Sequence, residues 1–335
     1  MKTNLIQNRN LDTIEQKSTL YDMRSRREVI TFDGDQDYSD NELYEEEENY
    51  YEDEEMLETD IQNMSNPFFV ARYAEKIFLN AQNEELSSII PVGQFEKIQD
   101  TITPKMRAIL VRWLIDFHST YGLSSDTLFN SVMYLDIIMS KISLTKLNLQ
   151  LFGSVCLWIS AKMDEVCIPS VHDFLEHCNV HYSKEEFLIT EQNVFSLLNY
   201  KLHYPTIKTF ARRLLESINP DQNVTEVSGF LCEAALLHHE LACYRQSAIA
   251  FAIIAVANVA LGRKCPITTL KLYSHFHDLD EIRECIPIIV QSAESVLNMK
   301  RGSTYNKYAG NSENSVIHTI QFPDTIIDDI VGKNV

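Results

Sequence analysis

Pro104-Lys105-Met106-Arg107-Ala108-Ile109-Leu110-Val111-Arg112-Trp113-Leu114-Ile115-Asp116-Phe117-His118-Ser119-Thr120-Tyr121 is the stretch on which the fold turns. Thr103 precedes it as a cap, and Pro104 suits a first helical position. At ~100° per residue, Met106, Ile109, Leu110, Trp113, Leu114, Phe117 and Tyr121 share one arc of about 120°. Ala108, Val111 and Ile115 fill a second arc on the far side. Arg107 and His118 lie on one flank between the arcs, with Lys105, Arg112 and Asp116 on the other. Two apolar arcs call for two apolar neighbours, so this is a central helix of an all-helical domain. If part of the first arc stays open, its Trp offers a large docking surface for an aliphatic side chain.

Similar marks recur along the chain. Helix starts are expected at Asn66-Pro67, Ser125, Pro169, at the Ser183/Glu186 capping box, at Tyr204-Pro205, and at Asp278 with Glu281. Small-residue helices are expected from Gln150 to Lys162 and from Gln246 to Leu261, the second closed by Gly262. Starts near 104, 150 and 183 return near 205, 246 and 278, a step of about 95 to 101 residues. The expected architecture is all-α: two tandem five-helix domains with a helix in front.

The 335 residues carry a net charge of −19, and fifteen acidic residues with no Lys or Arg lie between Asp33 and Asp60. The remainder carries only about −4, which gives no basic footprint for nucleic acid. No apolar run is long enough to span a membrane, and the first residues lack the apolar core of a secretory leader. Seven scattered cysteines without a CxxC pair read as reduced thiols. Residues 1–62 are too polar and charged for a core and are expected to be a disordered tail. The divisions expected after it are 63–203, 204–300 and a C-terminal extension, 301–335.

Met106-Arg107-Ala108-Ile109-Leu110-Val111 followed by Trp113-Leu114 resembles the MRAIL signature that opens the cyclin box. Leu149 to Gly153, Ser160 to Glu165, Pro205-Thr206 through Phe210 to Arg213, and Lys307-Tyr308-Ala309 resemble later motifs of B-type, mitotic cyclins in the same order. The resemblance spans roughly residues 64 to 320 and implies a non-catalytic subunit that binds and activates a cyclin-dependent kinase at the G2/M transition. It implies that Lys162 and Glu191 grip the kinase, with Ile159, Met163, Tyr200 and Leu202 as apolar contacts. It also implies a patch of Met106, Ile109, Leu110, Trp113, Asp116 and Gln150 that takes RxL peptides of substrates and inhibitors, Asp116 favouring the Arg.

Arg112 departs from the pattern, standing where the family string carries an acid, and Met163 replaces an aromatic. The segment Asn8 to Gln16 is similar to a mitotic destruction box, with Arg9, Leu11 and Ile14 as candidate degron residues for the anaphase-promoting ubiquitin ligase. The basic cluster Arg24-Ser25-Arg26-Arg27 reads first as part of a solvated tail and second as part of a nuclear-import signal, and the expected location is nucleus and cytoplasm. A transcription-type cyclin and a helical scaffold without a kinase are the other readings of the same architecture.

No cofactor motif occurs. His172, His177, Cys178 and His181 cluster within ten residues, but their spacing fits no familiar zinc site, so no metal is expected.

Overall fold

The structure is a computed structural model, and it describes residues 58–65, 70–276, 278–310 and 315–332. Most of the expected tail, the degron candidates Arg9, Leu11 and Ile14, and the expected start at Asn66-Pro67 lie outside the described residues.

Every regular element among the described residues is helical. Three short helices come first: α1 (Glu58–Asn63), α2 (Ala74–Glu85) and α3 (Gln94–Ile98). The first domain follows with α4 (Pro104–Tyr121), α5 (Ser125–Met139), α6 (Leu149–Asp164), α7 (Val171–His177) and α8 (Lys184–Leu197). The second repeats it with α9 (Ile207–Ser217), α10 (Gln222–Ala235), α11 (Gln246–Ala260), α12 (Ile267–Ser274) and α13 (Asp280–Met299). α14 (Ser303–Ala309) and α15 (Ile326–Val331) close the chain. The step between equivalent helices from α5/α10 onward is about 97 residues.

The caps behave as local chemistry dictates. The Thr103 hydroxyl accepts from the Met106 N–H at 3.3 Å, and Gly122 ends α4 in the left-handed region at φ 62°. Ser183 and Glu186 form their reciprocal box. Three expected starts shift. α7 begins at Val171, because Ser170 and Asp173 form the box there instead of Pro169 leading it. α9 begins at Ile207, with Thr206 and Thr209 taking the role given to Pro205. Asp278 does hold the start of α13, its Oδ1 accepting from the Asp280 N–H at 3.0 Å, but Glu281 does not complete a box with it: that carboxylate is engaged by the backbone N–H and Nε of Arg245 at 2.7 and 2.6 Å.

α1 also falls partly inside the stretch expected to be unstructured up to residue 62. Asp60 is buried there and accepts from both terminal nitrogens of Arg213, at 2.7 and 2.6 Å. A bidentate guanidinium partner accounts for an acid leaving the solvated run.

α6 packs among α4, α5 and α8, and α11 among α9, α10, α12 and α13. Gly153 lets α4 and α6 meet: a Cβ there would stand 2.9 Å from the Leu110 methyls. The domains are fastened by Arg107, which is 1% exposed. Its Nε and Nη2 donate to Asp136 at 2.6 Å each, and its Nη1 donates to the Leu236 carbonyl in α10's C-terminal turn at 2.8 Å. Glu85 ties α2 to the start of α11, accepting from the Ser247 N–H and hydroxyl at 2.8 and 2.5 Å. Burial raises its carboxyl to about 7 against the pull of those donors.

Candidate functional site

Two surfaces gather the residues singled out in the sequence. The first lies where α6 leaves the domain centre. Lys162, in its last turn, forms an ion pair with Glu191 of α8, twenty-nine positions on. The Lys162 ammonium also stands 3.8 Å above the Trp158 ring. That indole is fixed in turn: its Nε1 donates to the Pro169 carbonyl at 3.2 Å, and Phe187 meets it edge-on at 5.4 Å. Each charged group keeps spare capacity, since an ammonium has three donors and a carboxylate about four acceptor sites. The pair is therefore preorganised to offer one donor and one acceptor to an incoming backbone.

Apolar side chains stand in water nearby. Met163 is 58% and Tyr200 76% exposed, and Val166, Ile168 and Ile189 are exposed as well. Cys167 is the one exposed thiol of the seven. Asn199 and Tyr200 both have left-handed backbones, at φ 52° and 58°, which turns the chain sharply after α8. The Tyr200 ring stacks on Phe195 with centroids 6.4 Å apart. Two expected contacts do not reach this surface fully. Ile159 is 1% exposed, because only the last turn of α6 emerges from the core. Leu202 is half-buried against the core, and its carbonyl accepts from the Tyr134 hydroxyl.

The second surface is an open groove of about 500 Å³ along α4, and Met106, Ile109, Leu110, Trp113, Asp116 and Gln150 all line it. Leu110 is buried and forms the floor, Trp113 is half-buried, and Ile109 is 55% exposed. Gln150 braces one wall by accepting from the Asn179 N–H at 2.9 Å. Asp116 is not waiting for a ligand alone: its Oδ1 accepts from the Ser303 N–H at 3.2 Å, at the start of α14. Arg112 and Lys146 line the same groove. Lys146 comes from the loop before α6, which a helical wheel of α4 cannot show.

The histidine cluster divides between packing and solvent. His177 meets Phe117 and Tyr121 edge-on, and His172 faces Glu176 at 3.0 Å. Among the described residues no group of three or more His, Cys, Asp or Glu is placed to hold a metal ion. Sequence reasoning missed the Arg107–Asp136 clamp. Its signal was an arginine between two apolar arcs with no acid one turn away.

Comparison with known proteins brings these surfaces into one frame. The N-terminal cyclin domain model matches residues 76–203 and the C-terminal cyclin domain model residues 205–322. Cyclin-B2-1 of Oryza sativa subsp. japonica is 30% identical over 260 residues, 77% of this chain and 61% of that protein. Cyclin-A1-2 of Arabidopsis thaliana is 29% identical over 254 residues, 74% of this chain and 57% of that protein. The chain thus spans about three fifths of the length of these relatives. A viral cyclin from herpesvirus saimiri shares the fold, with a TM-score of 0.57 at 18% identity over 64% of this chain and 96% of its own. With both domain models matched in tandem on ten helices that repeat five by five, the chain belongs to the cyclin family.

Proposed function

We propose that this chain is a non-catalytic regulatory subunit that forms a heterodimer with a cyclin-dependent protein kinase and activates it at the G2/M transition. The observation that carries this reading is the Lys162–Glu191 pair, stacked on Trp158 and ringed by the exposed Met163 and Tyr200. A kinase transfers phosphate only when its αC glutamate pairs with its β3 lysine. A surface that clasps αC by backbone and apolar contacts shifts the kinase population to that state and supplies no chemistry itself. A stable subunit interface of this kind buries at least about 2,000 Å² in total.

The α4 groove recruits substrates and inhibitors through an aliphatic anchor seated against Ile109 and Trp113. Turnover falls to the anaphase-promoting ubiquitin ligase through Arg9, Leu11 and Ile14, and the protein works in nucleus and cytoplasm. B2-type names among the relatives support the mitotic assignment.

The test mixes the chain with a monomeric cyclin-dependent kinase and follows substrate phosphorylation. Strong stimulation is expected, and none would overturn the reading. Deleting residues 1–20 is expected to lengthen the protein's life at mitotic exit; an unchanged half-life removes the degron.

A further inference from the structure

The α4 groove has a charge pattern that an apolar docking site does not need. Arg112 stands half-buried on its wall, with no ion pair or hydrogen bond among the described residues. Burial disfavours its charged form, so the guanidinium is short of solvation and of a counter-charge at once. Lys146, also without a partner, adds a second cation across the groove. The one acid lining it, Asp116, follows Arg112 by a single turn but has an oxygen engaged by the Ser303 N–H. An arginine side chain arriving here would be a third cation beside Arg112 and Lys146, with the one carboxylate of Asp116 shared among all three. A carboxylate would give Arg112 the planar, bidentate partner that guanidinium geometry favours.

We infer that the groove takes a linear peptide of a partner protein in which an aliphatic anchor is neighboured by Glu or Asp, not by Arg. The inference rests on the groove being a docking site, as proposed above, and reverses the charge that the family resemblance implies for its ligands. Ile109 and Trp113 hold the anchor, while Arg112 and Lys146 read the acid.

The test measures fluorescence anisotropy of two short labelled peptides, alike except for Glu or Arg two positions before a Leu, against the full chain. The Glu peptide is expected to bind about five- to tenfold more tightly at low salt, a gap that narrows as salt is added. Arg112→Asp should reverse the order. Lys146→Glu, on an exposed loop, should narrow the gap even if the first variant folds poorly. An Arg peptide that binds as tightly as the Glu peptide, or an order that Arg112→Asp leaves intact, overturns the inference. If both peptides bind equally and Trp113→Ala abolishes both, the docking site stands and the charge reading falls. If neither binds, or Trp113→Ala changes nothing, the docking reading fails and takes the inference with it.

Discussion

α6 and α11 hold the same place in their domains, yet one surfaces and the other does not. In α11 every residue but Val259 is buried. Its C-terminal end is covered by α15, and the Gln321 N–H donates to the Ala260 carbonyl at 3.0 Å. Its N-terminal end is closed by Glu85 on Ser247. In α6 the last turn carries Lys162, Met163 and Asp164 out of the core. The repeat is thus sealed in one copy by segments from both ends of the chain and left open in the other. The difference teaches that a duplicated fold leaves side chains in water where it omits a cover.

The largest effect should come from the sealed helix. Phe251→Ala is expected to cost about 3–5 kcal/mol in denaturant unfolding, against less than about 0.5 kcal/mol for Met163→Ala on the open one. Similar costs at both sites would break the comparison.

On the open helix the loss should appear in binding. Lys162→Ala breaks a half-buried pair, so stability should fall by only about 1–2 kcal/mol. Kinase affinity, read by calorimetric titration, should fall about 10- to 100-fold. A large melting shift with unaltered affinity would make the pair structural.

The smallest effect concerns the closed end of α11. The Glu85 carboxyl sits near 7 when folded and at 4.5 when free, so the folded state holds a proton that the unfolded chain has lost between those values. Its contribution to stability therefore fades as pH rises from the ordinary carboxylate range to about 7. Thermal unfolding of Glu85→Gln across that window should show a flatter dependence on pH than the parent chain.

The ten-helix repeat was legible because caps and small residues are local signals: Thr103-Pro104, Ser183 with Glu186, and Gly262 act within a turn of themselves. Glu281 misled because it had a distant competitor in Arg245, and Asp60 because its partner lies 153 positions away. The six groove residues lie on α4 and α6; Met106, Ile109, Leu110 and Trp113 were readable as one arc of α4, with Asp116 on its flank. Arg112 was visible as an oddity, but that it shares a groove with Lys146, from the loop before α6, is a placement no periodicity reveals. The burial of Ile159 was not legible because the point at which a helix leaves its core depends on what surrounds it.

Cys167 gives the open face a practical use. The other six thiols are buried or half-buried, and desolvation raises the pKa of each, so maleimide chemistry at neutral pH is directed to one atom. A fluorophore attached there, five positions beyond Lys162, would sit at the rim of the clasp and brighten or dim as a kinase arrives. The native sequence would then serve as its own single-site sensor, without a cysteine having to be added or removed.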